Sequence, residues 1–181
     1  MNGAASIALD PAPSPWPGAA ARGDGRVGVL ALQGGFQAHL LWLRAGVEVR
    51  LPRDLEGLDA LVLPGGESTT QGMLIERAGL RQPLDAFVRS GKPVFATCAG
   101  LILCARYGWL DVDVQRNAYG RQLDSFEAMS DDGKQRLVFI RAPRITRIGR
   151  NVEVLATLNK EPVLVRQRNV TGATYHPELA G

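Results

Sequence analysis

The sequence predicts an α/β fold built on a mostly parallel sheet with helices on both faces. Three observations predict it. Residues 26–32 (RVGVLAL) and 59–63 (DALVL) are near-continuous apolar runs, as expected of strands covered on both sides. Between them lies a helical stretch with Phe36, Leu40 and Leu43 on one face, so the spacing is that of a βαβ unit. Residues 94–97 (VFAT) read as another buried strand that stops at Cys98, followed by Ala99, Gly100 and an apolar helix. That is the layout of a nucleophile elbow, in which a tight strand-to-helix turn lifts one reactive side chain above the sheet.

The elements follow in order. Residues 1–25 are rich in Ala, Pro, Gly and Ser, without a basic start or a long apolar segment. They read as a disordered extension rather than a secretory signal, leaving residues 26–181 as one domain. Gly34 and Gly35 break the first strand, and Gly46 ends the first helix. Residues 47–51 are a second strand and 59–63 a third. Residues 71–78 and 84–90 read as helices leading into the elbow strand. Beyond the elbow helix, residues 111–114 and 137–140 read as strands. Residues 152–156, 162–166 and 170–174 read as short antiparallel strands near the sheet edge.

Composition bounds the function. The 181 residues are 45% hydrophobic and 22% charged, ordinary for a soluble globular chain. The net charge is only +3 and the arginines are scattered, which does not suggest nucleic-acid binding. No apolar run approaches the roughly 20 residues that a membrane span needs. Cys98 and Cys104 give neither a disulfide framework nor a metal spacing, and a reduced cytoplasmic setting fits them. With just two histidines, His39 and His176, the search for a base is short.

Three places carry chemistry. At Cys98 the new helix begins beside the sulfur, and its free N–H groups favour a thiolate. The alternative is a buried structural cysteine. Residues 64–70 (PGGESTT) put a glycine pair between a strand and a helix, where bare N–H groups can hold an anion or a developing oxyanion. The alternative is a plain tight loop, capped by Ser68 or Thr69, with Glu67 solvated. Near the end, His176 and Glu178 lie two residues apart. In an extended chain they project to one side, close enough for the carboxylate to hold the imidazole, and Pro177 stiffens the link. A base oriented by a carboxylate is half of a catalytic triad. Residues 115–122 (QRNAYGRQ) read as an exposed polar loop, Cys104 as core, and His39 carries no assigned chemistry.

Together these segments resemble the class I glutamine amidotransferases. The motifs LQG with His39, PGGESTT, TCAGL, RNAYGRQ, FIRAP and HPEL, in this order, resemble more narrowly the glutaminase subunit of pyridoxal 5′-phosphate synthase. The resemblance spans residues 26–179. It implies a three-layer, flavodoxin-like α/β fold and hydrolysis of L-glutamine to glutamate and ammonia. By resemblance, Cys98 is the nucleophile, His176 the base and Glu178 the residue that orients it. Gly65, Gly66 and Ala99 belong to the oxyanion hole. Gly66, Glu67, Ser68, Arg116, Ile140 and Arg141 bind glutamine, an arginine fork suiting its carboxylate. Gln33 and Gly34 face a synthase partner in a large hetero-oligomer, to which the ammonia passes. No metal or cofactor is implied, since pyridoxal phosphate is the partner's product.

The chain departs from the family at four points, two of them the short connection between Arg106 and Trp109 and the residues before His39. Ala96 stands where many relatives carry glycine, and relatives continue into one more helix beyond the HPEL motif. Ala96 and the absent helix are the only support for another reading, a catalytically impaired regulatory or scaffolding subunit. A third, a stand-alone amidase of the same superfamily, is opposed by the RNAYGRQ and FIRAP segments.

Overall fold

The apolar runs form the strands of one seven-stranded sheet. A computed structural model describes residues 25–43, 46–116 and 125–180. The expected extension therefore lies outside the described residues but for Gly25, as does 117–122 of the polar loop. Strands β1 (Val27–Leu30), β2 (Val47–Val49), β3 (Ala60–Leu63) and β4 (Val94–Thr97) run parallel. Later in the chain come β9 (Glu153–Leu158), β10 (Glu161–Gln167) and β11 (Val170–Ala173). The sheet order is β2-β1-β3-β4-β11-β10-β9.

Side-chain alternation divides the core into two. Leu61, Leu63, Val94 and Ala96 face one side, under helices α2 (Ser68–Arg77), α3 (Arg81–Arg89) and α4 (Ala99–Arg106), which contribute Ile75, Leu84, Phe87, Leu101 and Leu103. Ala60, Val62 and Phe95 face the other side, under α1 (Phe36–Leu43). Burial on both faces is why these strands carry no polar alternation. Phe36, Leu40 and Leu43 do pack toward the core as the periodicity predicts. Two ribbons flank the sheet. One pairs β5 (Val112–Gln115) with β8 (Arg144–Ile148), the other β6 (Phe126–Met129) with β7 (Arg136–Phe139). Phe139 and Tyr175 complete the α1-side core.

Two expectations change, and two strands were not foreseen. The strand at 170–174 is not at the edge: β11 sits between β4 and β10, antiparallel to β10 but parallel to β4. Strands β6 and β8 carry no signal that the sequence reading used. The segment after β11 is not extended, because Pro177–Leu179 forms a 3-10 turn. Among the described residues no helix is long and apolar enough to cross a membrane.

Candidate active site

The C-terminal ends of β1, β3 and β4 and the segment after β11 converge on one cavity of about 320 Å³, which suits a small molecule. Cys98 terminates β4 and caps α4 with φ 47° and ψ −101°. A non-glycine residue at positive φ outside the left-handed helical region is strained, and such strain collects at functional sites. The turn closes because Gly100 has no side chain, since a Cβ there would collide with the Leu63 carbonyl. Ala96, fully buried in β4, does not prevent it.

His176 comes from the segment after β11 and lines the same cavity as Cys98, the two side chains meeting over Gly65. Its Nδ1 lies 2.8 Å from Glu178 Oε1. The 3-10 turn, rather than an extended backbone, folds Glu178 back under the ring. Nδ1 is engaged by the carboxylate, so Nε2 is the nitrogen left for the sulfur. Burial disfavours the His176 cation, but the hydrogen bonds to Cys98 and Glu178 outweigh it and raise its pKa to about 10. Burial likewise opposes charge on Glu178, yet hydrogen bonds from His176 and then His39 bring it down to about 2. Gly65 closes in from β3, and a Cβ there would strike the His176 ring.

The loop from Pro64 to Ser68 is braced from behind. Gln71, 1% exposed, donates to the backbone oxygen of Gln33 at 2.9 Å. The Gln33 side chain accepts from the Glu67 N–H at 2.9 Å, while Gly34 is exposed. Gly35 donates to the Gly65 carbonyl at 2.9 Å. Glu67, not Ser68 or Thr69, caps α2: its Oε2 accepts from the Thr70 N–H at 3.0 Å. Its Oε1 accepts from Arg116 at 2.6 Å, so Glu67 is neither free nor merely a cap.

Gly65, Gly66, Glu67, Ser68, Arg116, Ile140 and Arg141 all line the cavity beside Cys98, His176 and Glu178. Ala99 is buried behind the sulfur and offers only its backbone. Two residues without assigned chemistry also call for placement. His39 reaches the site: its Nε2 lies 3.3 Å from Glu178 Oε1 and 3.1 Å from Thr97 Oγ1. The signal that could have found His39 is its place among Phe36, Leu40 and Leu43, a polar residue on an apolar face. Cys104 is in the core, where burial pushes its thiol up.

The SNO glutamine amidotransferase family matches residues 29–181. The chain belongs to this family. Among curated relatives, pyridoxal 5′-phosphate synthase subunit PdxT of Halalkalibacterium halodurans is 49% identical, covering 85% of this chain and 87% of its own. PdxT of Thermotoga maritima is 45% identical, covering 85% of this chain and 92% of its own. A crystal structure of a glutamine amidotransferase superposes with a TM-score of 0.81 at 45% identity, covering 86% of this chain and 92% of that one. A second glutamine amidotransferase structure, from Thermotoga maritima, shares the fold at 16% identity and a TM-score of 0.61, covering 85% of this chain and 76% of that one. The SNO family thus adopts here the three-layer α/β arrangement that the sequence predicts.

Proposed function

We propose that this chain hydrolyses L-glutamine to L-glutamate and ammonia in the cytoplasm. It delivers the ammonia to the synthase subunit of pyridoxal 5′-phosphate synthase, with which it assembles for vitamin B6 synthesis. One observation carries the reading: a strained cysteine that shares a cavity wall with a histidine held by a buried carboxylate. The names of the curated relatives supply the partner.

Cys98 Sγ attacks the side-chain amide carbon of glutamine, its proton having already passed to His176 Nε2, whose raised pKa favours holding it. The carbonyl oxygen becomes an oxyanion against the N–H groups of Gly66 and Ala99, each such donor being worth about 2.7–4 kcal/mol. His176 returns the proton to the amide nitrogen, the C–N bond breaks and ammonia leaves. Water, deprotonated by His176, then splits the γ-glutamyl thioester to give glutamate and the free thiol. Glu178 keeps Nδ1–H fixed so that Nε2 faces the sulfur throughout. Glu67, Ser68, Arg116, Ile140 and Arg141 hold the substrate. Gln33 and Gly34 meet the synthase, which places the partner beside the loop that carries Gly65 and Gly66.

The test is glutamate release from glutamine by the chain docked on its synthase. Cys98→Ala is expected to lower kcat by at least about 10³-fold. Full turnover by that variant would falsify the assignment. Strong turnover without the synthase, with little preference for glutamine, would favour the stand-alone amidase. An electrophilic glutamine analogue that leaves Cys98 unlabelled in the complex would favour the impaired subunit.

A further inference from the structure

Glu178 is a buried carboxylate, its side chain 2% exposed, and its charge has to be held by donors. His176 supplies one, at 2.8 Å on Oε1. The other comes from a different element. His39, wholly buried on α1, hydrogen-bonds Thr97 Oγ1 through Nε2 at 3.1 Å, and the same Nε2 lies 3.3 Å from Glu178 Oε1. Glu178 Oε2 finds no partner among the described residues, so the carboxylate hangs on these two histidines through one oxygen.

The proton position on His39 follows from the surroundings. Its Nδ1 is buried and has no partner among the described residues. A proton there would be an orphaned buried donor, and would leave the Nε2 lone pair facing a carboxylate oxygen. The proton therefore sits on Nε2, between Thr97 Oγ1 at 3.1 Å and Glu178 Oε1 at 3.3 Å. An ordinary core histidine would need no carboxylate, whereas this one meets the carboxylate that holds the base.

We propose that His39 is a positioning residue: from α1 it donates through Nε2 to Glu178 Oε1 and holds the carboxylate in line with His176 Nδ1. The inference rests on the triad reading above. The consequence is that α1 fixes the aim of His176 without touching substrate. The titratable and charged groups facing this network are His176 from the same segment and Cys98 from the elbow. Glu67, Arg116 and Arg141 lie around the cavity.

The test compares His39→Met with His39→Gln in the full complex with the synthase. The two side chains are alike in length, but only glutamine carries an N–H where Nε2 stands. Without that donor Glu178 supports the imidazolium less well. His39→Met is expected to lower kcat about tenfold with KM changed less than about twofold. The alkaline limb of the pH profile should move down by about one pH unit. His39→Gln should restore kcat to within about threefold and return the limb. Alkylation of Cys98 by iodoacetamide across pH should show the same shift, and it reads the Cys98–His176 pair without requiring glutamine turnover. If turnover is absent in the wild type yet the alkylation limb still moves in His39→Met, the function fails and the positioning role stands. Equal impairment in both variants, or a wild-type pH profile in His39→Met, would overturn it. Should His39→Met not fold, the ¹⁵N ring shifts of His39 in the wild type decide: protonation at Nε2 is expected, and protonation at Nδ1 would refute the role.

Discussion

Cys98, His176, Glu178 and Arg116 each occupy a conformation that only their neighbours explain. Cys98 takes φ 47° because Thr97 must finish a strand and Ala99 must begin a helix within one residue. Arg116 shares its guanidinium between Glu67 Oε1 at 2.6 Å and Thr69 Oγ1 at 3.0 Å. The pair is half-exposed, so its own contribution to stability is small. Arg116 lines the cavity, where in the proposed function its guanidinium meets the α-carboxylate of glutamine. Arg116→Ala is expected to raise KM for glutamine at least about tenfold, with a smaller change in kcat. Steady-state kinetics of the complex check this, and an unchanged KM would remove Arg116 from the substrate site. At this scale the cysteine was legible in the sequence, because a buried strand that stops at a cysteine and restarts as a helix is a local pattern. His39 was visible as a polar residue on an apolar helix face, but its partner was not legible. Its contact with Glu178 spans most of the chain and exists only once α1 lies across the end of β4.

Among the elements, α4 and β11 do most to set the site. Helix α4 starts against the end of β3, which is possible only at Gly100. Gly100→Ala would drive a methyl group into the Leu63 carbonyl, and backbone on both sides cannot yield cheaply. The expected cost is about 1–3 kcal/mol of unfolding free energy, as for an overpacked core. Urea unfolding measures it, and cysteine alkylation should slow in parallel as the elbow deforms. Wild-type stability in the variant would mean that α4 slides without penalty. Strand β11 shows why element order is harder to read than element type. Its pairing with β10 is local: Gln167 faces Val170 across a two-residue turn in which Arg168 has φ 54°. Its pairing with β4 is not local, and the four small or β-branched residues VTGA carry no mark of which strand they will meet. The antiparallel half was therefore readable and the parallel half was not. Strands β6 and β8 went unread for a different reason. On flanking ribbons, β6 alternates partly buried and exposed positions and β8 buries Ile145 among arginines, so neither forms the apolar run that reveals the central strands. The 3-10 turn at Pro177–Leu179 brought Glu178 to His176 by a route that spacing alone would not choose.

For the molecule as a whole, the site ties segments far apart in the chain into one fold, and the tie is charged. Glu178 belongs to the segment after β11, while its donors reach it from that segment and from α1. The ionised carboxylate thus couples protonation to folding. Its pKa falls from 4.5 to about 2 in the folded protein, against the burial that opposes it. A depressed value means that the unfolded chain binds the proton more tightly. The stabilisation is therefore complete above about pH 4.5 and is lost as pH falls toward 2. At about 1.4 kcal/mol for each pH unit between the two values, it amounts to about 3 kcal/mol at most. Other carboxylates with lowered values, such as Asp54, Asp113 and Asp131, add their own acid loss at the surface. The wild type alone therefore cannot isolate Glu178, and a difference can. Glu178→Gln keeps the shape and removes the charge. Its urea unfolding free energy should fall below that of the wild type at pH 6, and the gap should narrow as pH drops from 4.5 toward 3. A gap that stays constant with pH would mean that Glu178 is not held as an anion. The two histidines would then have to find some other reason to point at it.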